Sequence, residues 1–188
     1  IGAIIGALFP STASGDHGGP LLPGIPSTVI RRAMERGYLT YRFDAGTSVY
    51  PNFRSQTDNV AFAGNLALGI PAYETTGQPD IWLTFPNDAV FIQICGSVAS
   101  ACVTYASDPI IVYFRRALLY SDWRSTLAHE GINYGHVMGE NEQYNDRQFV
   151  CRSLADLIAN GPGPTVMSCG TGLWQPEPFD IATVNSVI

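Results

Sequence analysis

The chain has 188 residues, of which 46% are hydrophobic and 14% charged, a composition that excludes a disordered chain and suits one domain with a sizeable core. Its formal net charge is −6 and its pI near 4.8, and all ten basic residues are Arg, so a phosphate-binding surface and a nucleic-acid partner are excluded. No apolar run reaches the roughly 18 to 20 residues that a membrane-spanning helix requires.

The run from Ile1 to Pro10 is apolar but has no basic flank, so it reads as a mature N-terminus tucked onto the core, or as a segment for self-association. Gly, Pro, Ser and Thr dominate from Ser11 to Pro26 and predict a long arm that contains a lone His17. Residues 1–26 are therefore an N-terminal extension, and 27–188 the domain proper. A helix is expected from Ser27 as N-cap to Arg36, ended by Gly37. Leu39 to Phe43 alternates like a half-buried strand.

Gln56 to Leu68 places Val60, Ala63, Gly64 and Ala67 on one helical face, and Gly69 with Pro71 would stop that helix. Four short runs rich in β-branched and aromatic residues then read as strands: Asp80 to Phe85, Ala89 to Ile94, Cys102 to Ala106 and Ile110 to Phe114. Trp123 to Met138 is the long helix of the chain, with Leu127, Tyr134 and Met138 near one face. Arg152 to Ile158 is a shorter helix, and Asp180 caps a closing one that runs to Ile188. Helix, sheet, then helices make an α+β domain.

Four cysteines in a chain without Lys and rich in Gly, Pro, Ser and Thr fit an oxidised, exported protein. Of three pairings, Cys95 with Cys102 and Cys151 with Cys169 are favoured. The first closes a short hairpin-like loop, and the second staples the segment after the long helix to a later turn.

Two of the three histidines fall in Thr126-Leu-Ala-His-Glu-Gly-Ile-Asn-Tyr-Gly-His-Val-Met-Gly-Glu-Asn-Glu-Gln-Tyr144. Hydrolytic zinc sites need imidazole ligands, an open position for water and a carboxylate to take that water's proton. His129 and His136 could supply the nitrogens, and Glu130 the base. They stand seven residues apart instead of four, a rise of about 10.5 Å, though seven residues fall only some 20° short of two full turns and keep a shared face. Gly131 and Gly135 bracket the intervening residues. A stretched bite, a looped-out insertion and a site without metal all remain open on this spacing.

Further along, Pro164-Thr-Val-Met-Ser-Cys-Gly-Thr-Gly172 and Pro176-Glu-Pro-Phe-Asp-Ile-Ala-Thr-Val-Asn-Ser-Val-Ile188 resemble the Met-turn and closing helix of the metzincin zinc metallopeptidases. Leu39-Thr-Tyr-Arg-Phe43, Val60-Ala-Phe-Ala-Gly-Asn65 and Asp80-Ile-Trp-Leu-Thr-Phe85 resemble upstream elements of astacin-like and matrixin-like enzymes. The resemblance covers roughly residues 39 to 188. It implies a mixed twisted sheet, an active-site helix, a Met-turn at Met167, a C-terminal helix and an edge strand that pairs with extended peptide substrates.

The family pattern His-Glu-x-x-His-x-x-Gly-x-x-His or Asp is not met in one register. Anchored on His129, the second ligand position is Asn133 and the third Gly139. Anchored on His136, Gly139 matches and Glu142 takes the third position, but Ile132 and Asn133 replace the first His and the Glu. A composite of His129, Glu130, His136 and Glu142 with a three-residue insertion meets every role, since two His and one Glu is a catalytic zinc set. Asn133, Glu140 and Tyr144 are candidate supporting groups, and Tyr134 or Tyr144 could stand in for the family's zinc-proximal Tyr, which Cys169 replaces. Asp16, Asp44, Asp58 and Asp80 are candidates for a calcium site.

The implied function is a secreted zinc endopeptidase with Glu130 as general base, acting on peptide or protein substrates. The alternative is a metzincin-shaped module without activity, serving as a binding domain or a subunit of an extracellular assembly. A carbohydrate-binding domain built on its three Trp and nine Tyr is a third, weaker reading.

Overall fold

Along the central strands, deeply buried residues alternate with half-buried ones, so one sheet face carries the main core and the other is less covered. The computed structural model describes residues 28–44, 68–97, 99–104, 107–116, 124–130, 143–145 and 148–150, with single positions 175, 178, 181, 182 and 185. The elements within them are α1 (Thr28–Arg36), β1 (Leu39–Phe43), β2 (Ala72–Glu74), β3 (Ile81–Thr84), α2 (Asp88–Cys95), β4 (Ala101–Thr104), β5 (Ile110–Phe114), α3 (Arg124–Glu130), β6 (Gln143–Asn145) and β7 (Gln148–Val150). The fold is α+β. Its five-stranded mixed sheet has the order β2-β1-β3-β5-β4, with β4 as the antiparallel edge. β6 and β7 form a separate antiparallel pair just after Glu142.

α1 forms where expected. Val29, Ile30 and Ala33 are buried, while Arg31, Arg32, Glu35 and Arg36 are exposed, so one stripe faces the sheet. Gly37 ends the helix at φ 82°. The Gly37 and Tyr38 amides donate back to Met34 O at 3.1 Å and Ala33 O at 3.2 Å, the paired bonds of a Schellman cap.

The expected strand over Ala89 to Ile94 is instead helix α2. Asn87 caps it, with Oδ1 accepting from the Val90 amide at 3.0 Å, and Asp88 adds a carboxylate to the first turn. Gly96 closes it at φ 87°, donating to Ile92 O at 2.9 Å. The buried residues Phe91 and Cys95 are four apart, a helical spacing; β propensity loses here to a strong cap at each end.

The main core joins Leu39, Tyr41, Ile81, Leu83, Ile110, Val112, Phe114, Ala101 and Val103 of the sheet to α1 and to Leu127 and Ala128 of α3. On the opposite face, Phe91 and Cys95 of α2 pack with Cys102, and Tyr113 lies against them. The domain is thus layered, with α1 and α3 on one side of the sheet and α2 on the other. Cys95 and Cys102 form the expected disulfide, but it joins a helix end to an edge strand and not the two arms of a hairpin.

Buried Asp80 ties the start of the parallel strands together. Its carboxylate accepts from the Thr40 amide and hydroxyl, each at 2.8 Å, and from Arg36, while its backbone amide donates to Thr40 O at 3.0 Å. At the other end of the same strands, Asp44 accepts from Trp82 Nε1 at 2.9 Å, from the Thr84 hydroxyl and from the Phe85 amide at 3.2 Å.

The expected helix Gln56 to Leu68 lies outside the described residues except for Leu68, which is helical. The expected arm over residues 1–26, with His17, and the helix Arg152 to Ile158 lie outside as well. Of the closing stretch, Pro178, Ile181, Ala182 and Asn185 are described and helical, and Ile181 packs against the main core.

Candidate functional site

The site begins with the way α3 is seated. Leu127 and Ala128 are fully buried and fasten the helix to the core face of the sheet, where it packs against β4. At 100° per residue, His129 and Glu130 leave α3 in directions different from those of Leu127 and Ala128. Both are half-buried, at the last two positions of the described helix. Adjacent residues on a helix diverge by too much to ligate one ion from an ideal geometry, but one can ligate while the other handles a water beside it.

His136 and Glu142, the other two expected metal ligands, lie outside the described residues, as do Met167, Asn133, Tyr134, Glu140, Cys151 and Cys169. Tyr144 falls in β6, opposite Phe149 in the ladder. Among the described residues no three metal-ligating side chains converge. As donors, His129 offers an imidazole nitrogen and Glu130 a carboxylate next to it.

Of the calcium candidates, Asp80 and Asp44 sit at opposite ends of the β1–β3 pair, and each is engaged by protein donors. Asp16 and Asp58 lie outside the described residues.

β4 supplies the second half of the site. Among the described residues its only strand neighbour is β5. The Arg115 amide donates to Ser100 O at 3.0 Å, which makes Ser100 and Arg115 a hydrogen-bonded pair. Such pairs alternate along an antiparallel ladder, so Cys102 and Thr104 turn their backbone groups toward β5, while Ala101 and Val103 turn theirs toward the outer edge. The side chains of Ala101 and Val103 point into the core that holds Leu127 and Ala128. An outward-facing backbone edge therefore adjoins the helix that carries His129 and Glu130.

Tyr113, across the ladder from Cys102, is raised in pKa by burial first and by the nearby Asp44 charge second. Asn87 was missed from sequence, and Asp80 and Asp44, named only as calcium candidates, instead bind protein donors that tie strands together. Asn87-Asp88 before an apolar run is a cap signature and could have been found; Asp80 and Asp44 act through partners about 40 residues away, which no local pattern announces.

Among the described residues no helix is long and apolar enough to cross a membrane. No protein-family model, curated protein or solved structure matches this chain.

Proposed function

We propose that the protein is an exported zinc-dependent endopeptidase of metzincin type, with His129, His136 and Glu142 as metal ligands, Met167 in the Met-turn and Glu130 as general base. The observation that carries this reading is the packing of α3, with His129 and Glu130 in its last turn, beside an antiparallel edge strand whose outward backbone groups suit an extended peptide. The mixed sheet with helices on both faces and the Cys95–Cys102 disulfide are compatible with that fold and with an oxidising compartment.

In this reading a peptide adds to the edge at Ala101 and Val103, which fixes its register over the end of α3. Zinc, when bound, polarises the scissile carbonyl and lowers the pKa of the attacking water. Glu130 takes a proton from that water and hands it to the leaving amine, one carboxylate serving as base and then as acid. The protein's share of the work is to orient the amide, hold Glu130 within reach of both proton positions and limit access of bulk water.

The test is made on the full chain, purified without added metal. One zinc per chain and chelator-sensitive cleavage of casein are expected. Glu130→Gln should abolish cleavage and leave metal content nearly unchanged; persistence of cleavage removes Glu130 from its role. The seven-residue gap between His129 and His136 favours a second reading, a metzincin-shaped binding module. Absence of stoichiometric zinc from active-site-intact protein would decide for it.

A further inference from the structure

We propose that the Cys95–Cys102 disulfide is a positioning element for peptide binding, holding the outer edge of β4 in the conformation that an added strand requires. The inference rests on the peptidase reading of the same edge.

Among the described residues β4 has four residues and one strand neighbour, β5, so its own ladder is a weak constraint. Its two faces are held by different means. Ala101 and Val103 are each 6% exposed and sit in the core with Leu127 and Ala128, which ties the strand to the helix bearing His129 and Glu130. Cys102 points the other way and is bonded to Cys95, the last residue of α2. α2 is in turn anchored by fully buried Phe91, with the Arg115 guanidinium over its ring at 5.2 Å.

Arg115 also donates through Nη2 to Ser97 O at 2.7 Å, holding the connection between α2 and β4. The disulfide thus lies directly behind the two residues whose amides and carbonyls face outward. Without it, the core contacts of Ala101 and Val103 remain but nothing covalent resists rotation or fraying of the strand. The peptide must then pay for ordering the edge when it binds, which raises the concentration needed for binding while leaving the chemistry at Glu130 untouched.

The variant is Cys95→Ala with Cys102→Ala in the full chain, and the probe is fluorescently labelled casein. The apparent KM should rise about tenfold, the cost of ordering a backbone segment of one or two residues, with kcat within about twofold of the parent. Exchange of the Cys102 and Thr104 amides, which face β5, should quicken while that in β3 stays slow. An unchanged KM, or a fall confined to kcat, overturns the inference while leaving the peptidase reading in place. A parent protein that neither binds nor cleaves casein removes the peptidase reading itself and the inference with it. Should the double variant fail to fold, Cys95→Val with Cys102→Ala restores apolar volume without the bond; the same rise in KM with unchanged kcat is expected, and no change in KM overturns the inference.

Discussion

Replacing Asp80 by Ala is expected to destabilise the domain by about 3 kcal/mol, since breaking a buried, hydrogen-bonded charge pair costs roughly 3 to 5 kcal/mol and Arg36 can recover part of that loss from water. Asp80 is 2% exposed, and the Arg36 side chain is 30% exposed, which sets that discount. The substitution removes the acceptor for the Thr40 amide and hydroxyl and leaves the Arg36 guanidinium only its bond to Tyr38 O and the Tyr38 ring; Arg32, with Nη2 3.6 Å from Asp80 Oδ1, is a secondary partner. Urea denaturation should move the midpoint by about 1 to 3 M at an unchanged slope, taking slopes of about 1 to 3 kcal/mol per M. Arg36→Met should cost less, because Asp80 keeps both Thr40 bonds, and the double variant should cost less than the sum. A loss below about 1 kcal/mol for Asp80→Ala would show that Asp80 is not the tie between α1, β1 and β3.

Three further outcomes follow from local geometry. Asn87→Ala should cost about 1 kcal/mol by removing the cap of α2, and Asn87→Asp close to nothing, both read from thermal unfolding. Leu127→Ala should cost about 2 to 5 kcal/mol as a fully buried truncation, and by loosening α3 it should lower casein cleavage at temperatures where the domain remains folded. The Arg32 guanidinium, bidentate at 2.8 and 2.9 Å, holds the Asp108 carboxyl below the usual range, but both side chains are about half exposed. A depressed carboxyl stabilises above its ordinary pKa and loses that contribution as pH falls through the lowered value, so Asp108→Asn should trail the parent by less than about 1 kcal/mol near neutrality and converge with it only at pH below that lowered value.

The fold was most legible where burial and period agreed. Leu39–Phe43 and Ile110–Phe114 alternate and are strands; Thr28–Arg36 shows an apolar stripe with a glycine stop and is a helix. It was least legible at Ala89 to Ile94, where Val, Phe and Ile suggest a strand by type but Asn87 and Gly96 decide for helix by position. Strand order was out of reach, because the parallel pairings of β1 with β2 and β3 depend on contacts between residues more than 30 apart. In the candidate site, the helix under His129 and Glu130 was legible from its spacing. Their seat was half legible: Leu127 was expected on the buried face, but the edge strand beneath it was expected only from the metzincin resemblance.

The decisive geometric question is the path from His129 to His136, and deletion of Gly131, Ile132 and Asn133 addresses it directly. The shortened chain reads His-Glu-Tyr-Gly-His-Val-Met-Gly-Glu-Asn-Glu, which puts the two histidines four residues apart, about 6 Å along a helix, with Glu142 on the third ligand position. If the parent strains to reach one ion across two turns, the deletion relieves strain of order 1 to 3 kcal/mol and zinc affinity rises about tenfold or more, measured by competition with a chelating indicator. If the parent already loops the three residues out, affinity stays the same. In both cases zinc binding must disappear on replacing His136 by Ala in the shortened chain. Weaker zinc binding after the deletion, or binding indifferent to His136, is incompatible with the composite ligand set, because that set treats the three residues as separating two groups that belong together.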